Sequence, residues 1–75
     1  MEQYASANII EYIVSCVGEF ATVNKLSNAQ AYAYLNRFGA IDFLIDCYPA
    51  EHTLSIDDAM EDVKDICLRN GGRIS

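Results

Sequence analysis

A chain of 75 residues with a net charge of −6, 52% hydrophobic residues and 21% charged ones holds a single domain, residues 1–75, and folding at this size hides only about 60% of the unfolded chain's surface. Its charge excludes a nucleic-acid binder, because phosphate neutralisation needs clustered cations and Lys25, Arg37, Lys64, Arg69 and Arg73 are scattered. Its apolar runs fall far short of the roughly 18 residues of a membrane span, no basic signal-peptide start is visible, and three cysteines without CxxC spacing fit the reduced thiols of a cytoplasmic protein.

Ile9, Ile10, Ile13, Val14, Val17, Phe20 and Ala21 recur at spacings of three and four, which predicts a first helix over 4–22 with this stripe facing the core. Glu11, Ser15 and Glu19 fall on the other side. After a loop over 23–26, Ser27 and Gln30 form a capping-box pattern that opens a second helix, 28–38. Ala31, Leu35 and Phe38 are its inward residues, and Gly39 supplies a left-handed stop. The segment 40–48 predicts a short third helix ending before Pro49, since the residue ahead of a proline is disfavoured in the helical region. Its inward residues are Ile41, Leu44, Ile45 and Tyr48.

A loop over 49–54 leads to Ser55, whose Ser-x-x-Asp pattern with Asp58 marks the fourth helix, 56–69. Ile56, Ala59, Met60, Val63, Ile66 and Cys67 give its apolar face, and Asn70-Gly71-Gly72 ends it. The tail from Gly72 to Ser75 is expected to fray. The expected fold is all-α, a compact four-helix single domain.

The block Leu35-x-x-Phe38-Gly39-Ala40-Ile41-Asp42-Phe43-Leu44, followed by Tyr48, His52-Thr53 and Glu61-Asp62-Val63, resembles a bacterial family of short proteins, domain-of-unknown-function family number 3791. The resemblance covers most of the chain. It implies a small cytosolic helical protein, often encoded beside enzymes resembling ADP-ribosyltransferases, and hence an antitoxin-like or regulatory partner of such an enzyme. No catalytic residue is carried over.

From Asp42 to Asp62 the chain has seven acidic side chains and no Lys or Arg. Asp42 and Asp46 are one turn apart on the third helix, and Asp58, Asp62 and Asp65 gather on the fourth, where like charges at i, i+4 oppose the helix by a few tenths of a kcal/mol. A solvated face is the plain reading of this arrangement. Its functional reading is a docking surface for a protein partner with a basic surface, where charge complementarity sets association rate and specificity. Tyr12 and Tyr34, placed away from the apolar stripes, are its candidate contact residues.

A divalent-cation site at Asp58, Asp62 and Asp65 lacks the alternating loop of an EF-hand, so neither metal nor cofactor is expected. His52 and Thr53 read as residues that tie down the loop before the last helix. Cys47 and His52 could form a thiol-enzyme pair, but a lone pair of this kind carries little weight. A helix-turn-helix over the second and third helices is discounted, since Asp42 and Asp46 would repel DNA. The sequence thus favours a non-catalytic protein-interaction module, with a structural homodimer hiding the apolar excess as the alternative.

Overall fold

The computed structural model describes the backbone of residues 2–72 and the side chains of residues 8–72. Among the described residues the chain is five helices and no strand: α1 (Glu2–Asn24), α2 (Asn28–Arg37), α3 (Ala40–Asp46), α4 (Tyr48–Glu51) and α5 (Ile56–Arg69). The all-α expectation is met, with one helix more than the sequence suggested. Of the tail expected to fray, Gly72 is instead buried, with its N–H on the Cys67 carbonyl at 2.7 Å, and the rest lies outside the described residues.

α1 runs two residues beyond its expected end at Thr22 because its stop signal is unusual. Lys25 adopts a φ of 58°, and the Leu26 N–H donates to the Ala21 carbonyl at 2.8 Å, the six-to-one bond of a left-handed helix terminus. Glycine normally occupies this position, so the sequence carries no visible mark of it. The turn sends Leu26 back onto the core.

The α2 start follows the expected chemistry. The Gln30 N–H donates to Ser27 Oγ at 3.0 Å and the Ser27 N–H donates to Gln30 Oε1 at 2.9 Å, so each of these two residues satisfies a backbone donor of the other. Gly39 follows with φ 80°, and Asn70 Nδ2 donates to the Phe38 carbonyl at 2.7 Å, tying the end of α2 to the end of α5.

The region expected as helix 40–48 and loop 49–54 is divided differently. α3 stops at Asp46 with Cys47 as its cap, and Tyr48–Glu51 form the separate turn α4 with Pro49 in its first turn. Proline is suited to that place, because its missing N–H has no helical partner there in any case. Ser55 then opens α5 by accepting from the Asp58 N–H at 3.1 Å. At the other end Gly71 takes φ 95°, with the Gly72 N–H on the Cys67 carbonyl at 2.7 Å and the Gly71 N–H on the Leu68 carbonyl at 3.2 Å, a Schellman stop.

α1 is the spine, about 35 Å long at 1.5 Å per residue in a molecule 39 Å in its longest dimension. α2, α3 and α5 pack along it. Leu35, Leu44, Val63 and Cys16 are the largest fully buried side chains. Four residues expected inside are not: Ile10 and Val14 are 64% and 65% exposed, Ile45 is 45% exposed, and Ile56 at the start of α5 is 37% exposed. The apolar arc of α1 is wider than its neighbours cover. No helix of the described residues is long and apolar enough to cross a membrane.

Candidate functional site

The acidic residues separate into distinct environments. Asp42 and Asp46 are exposed on α3, and Asp58 and Asp65 are exposed on α5. Arg69 Nε lies 3.1 Å from Asp65 Oδ2, with both side chains largely in water, a pair that contributes about 0–1 kcal/mol. Asp62 is half-buried. Among the acids of α5 it is the one whose charge acts on Glu51.

Glu51, in the sequence only one of the seven acids of a polar stretch, is 6% exposed. The α4 turn places it against α5 and α1 rather than in solvent. Burial, and secondarily the hydrogen bond and charge of Asp62, push its carboxyl up to about 7. Tyr12 and Cys16 of α1 complete the cluster, and burial raises both groups. Glu51 Oε1 and Tyr12 Oη are buried with no hydrogen-bond partner.

The two tyrosines expected at the surface pack inward instead. Tyr12 meets the Tyr48 ring edge-on at 5.5 Å, and Tyr34 lies between Phe20 at 5.7 Å and Phe38 at 4.8 Å. Both are half-buried against the core. The interruption of the stripe that suggested exposure reflects α1 and α2 each having neighbours on more than one side. Among the described residues, the tyrosine that does reach the surface is Tyr32, 47% exposed.

The His52 ring stacks on Tyr48 at 4.4 Å with its Nδ1 2.7 Å from the Tyr48 carbonyl oxygen, and Thr53 Oγ1 donates to the Ala50 carbonyl at 2.7 Å. Both side chains therefore bond back onto α4. Cys47 is half-buried, Cys16 and Cys67 are buried, and all three are free thiols. Among the described residues no three His, Cys, Asp or Glu side chains converge as metal ligands.

A further feature is apolar. Ile10 and Val14 of α1, Tyr32 of α2 and Ile45 of α3 line a broad groove of about 580 Å³, and no charged residue is among its lining. Asp42 and Asp46 each follow a groove isoleucine, Ile41 and Ile45, and stand about 100° further round α3. Both are in water. A signal for this face was present in the sequence: the α1 stripe spans seven apolar positions, more than one packing neighbour needs. A second, smaller pocket of about 230 Å³ lies between Phe20, Tyr34, Met60 and Lys64.

The family model described as protein of unknown function (DUF3791) matches residues 11–70. The chain belongs to this family. No curated protein and no solved structure matches it. The DUF3791 match contains Val14, Tyr32 and Ile45 of the groove, Asp42 and Asp46 of α3, and Tyr12, Cys16, Glu51 and Asp62, whereas Ile10 stands one residue outside it.

Proposed function

We propose that this DUF3791 protein is a non-catalytic protein-interaction module that receives an amphipathic helix of its partner in the α1, α2 and α3 groove. The observation that carries the reading is the uncovered apolar face itself: Ile10 and Val14 are 64% and 65% exposed on the longest helix of the fold. Contiguous exposed apolar surface marks an interaction site, and a helix laid in such a groove buries residues at i, i+3, i+4 and i+7. The occupant has a basic flank, because Asp42 and Asp46 border the groove and the chain from Asp42 to Asp62 offers no cation. A second copy is the poorer fit. In a symmetric pair the same patch meets itself, bringing Asp42 and Asp46 toward their equivalents.

The partner that the family resemblance suggests is a neighbouring enzyme resembling an ADP-ribosyltransferase, with this chain as its antitoxin-like or regulatory subunit. Co-expression of the two, followed by chromatography with light scattering, tests this. A stoichiometric complex that Val14→Asp abolishes, and that Asp42→Lys with Asp46→Lys weakens about tenfold or more, as expected of close charge pairs, supports the reading. A complex indifferent to Val14→Asp overturns the groove, absence of any complex overturns the neighbour as partner, and a homodimer dissociated by Val14→Asp replaces the partner with a second copy.

A further inference from the structure

The smaller pocket, between the C-terminal half of α1 and α5, shares no lining residue with the groove assigned to the partner helix. Its interior is apolar, with the Phe20 and Tyr34 rings stacked at 5.7 Å and Met60 beside them. Val23 of α1 and Leu68 of α5 also line it, yet they are 64% and 52% exposed, so they stand up around it. One patch thus carries a hollow of about 230 Å³ and two protruding apolar side chains.

The charges of this patch are of both signs. Glu61 and Lys64, the charged residues of its lining, are one turn apart on α5 and both exposed. Asp65 and Arg69, further along α5, are paired with each other at 3.1 Å. Each chain carries a net charge of −6, so two copies repel at long range and can meet only where cations offset the acids. Among the described helices α5 alone holds two cations, Lys64 and Arg69, whereas α2 holds Arg37 and α1, α3 and α4 hold none.

In a two-fold pair the same patch meets itself, so it must be complementary to itself: its hollow must accept its own protrusion, and each charge must find its opposite on the same surface. The α1–α5 face meets both conditions. We propose that it docks a second copy of this chain about a two-fold axis, with Leu68 of each copy entering the hollow of the other and Glu61 of each meeting Lys64 of the other. The groove stays open on both copies, so this pairing neither requires nor excludes the partner helix.

Light scattering over a concentration series from micromolar to millimolar tests this on the native chain and its variants. The native mass should rise toward twice the 8.3 kDa of one chain. Leu68→Asp should raise the dissociation constant about tenfold or more, while Val14→Asp, in the groove, leaves it unchanged. Glu61→Lys and Lys64→Glu should each weaken self-association, because every copy then presents like charges, and an equimolar mixture of the two should recover it, because each supplies the sign that the other lacks. A native chain that stays monomeric throughout overturns the pairing, as does a dimer that Val14→Asp dissociates and Leu68→Asp does not. Should Leu68→Asp fail to fold, the mixture decides: recovery supports the two-fold face, and a mixture no more associated than either variant alone overturns it.

Discussion

Gly72 occupies a space that no other residue fills. A Cβ there would lie 2.6 Å from Tyr34 Oη, 3.0 Å from the Cys67 carbonyl oxygen and 3.1 Å from Phe38 Cδ2. The tyrosine is itself held between two phenylalanine rings, and the carbonyl is fixed in the α5 terminus. Gly72→Ala should therefore cost about 1–3 kcal/mol, the range of overpacking, measured as a shift of the urea midpoint. Lys25 presents the reverse case, since a side chain occupies a left-handed position that disfavours L-residues by about 1–2 kcal/mol. Allowing for glycine's greater freedom in the unfolded chain, Lys25→Gly should stabilise the fold by about 0.5–1 kcal/mol in the same assay. Both positions bear on legibility: the Asn70-Gly71-Gly72 stop is readable because glycine marks it, whereas the stop at Lys25 leaves no such mark, and the predicted α1 accordingly ended too early.

At the scale of elements, the starts of α2 and α5 were legible because capping is local chemistry confined to four residues. Ser27→Ala removes the acceptor of the Gln30 N–H and should destabilise by about 1 kcal/mol, read by thermal unfolding, with Ser27→Asp recovering most of the loss. The turn α4 was less legible. Pro49 reads equally as the end of one helix or the first turn of the next, and in the fold it is the second, with Tyr48 packed on Tyr12. That choice alone determines whether Glu51 lies in water or in the interior. Sequence spacing could find the acids of α5, but not the one acid whose environment sets it apart.

For the whole molecule, periodicity identified the apolar side of α1 and could not say how much of it would be covered. Coverage depends on where α2, α3 and α5 cross the spine, a property of the assembled fold rather than of any window of sequence. The all-α class and the core residues Leu35, Leu44 and Val63 were therefore readable, and the width of the α1 stripe hinted at an uncovered face, but which residues line the groove, Ile10, Val14, Tyr32 and Ile45, emerged only from the packing. Because Val14 is 65% exposed, Val14→Asp should leave thermal stability within about 0.5 kcal/mol of the native chain while removing partner binding. That separation of stability from binding distinguishes a docking face from a misplaced core residue.

The most direct measurement is amide chemical-shift mapping of the isotopically labelled chain titrated with a synthetic amphipathic leucine-lysine helix, with a leucine-glutamate helix as the control. The docking account predicts saturable shifts centred on Ile10, Val14, Tyr32 and Ile45 for the lysine peptide, absent for the glutamate peptide and lost in Val14→Asp. Shifts confined to Asp58, Asp62 and Asp65 on α5, or a groove silent to both peptides, would contradict it.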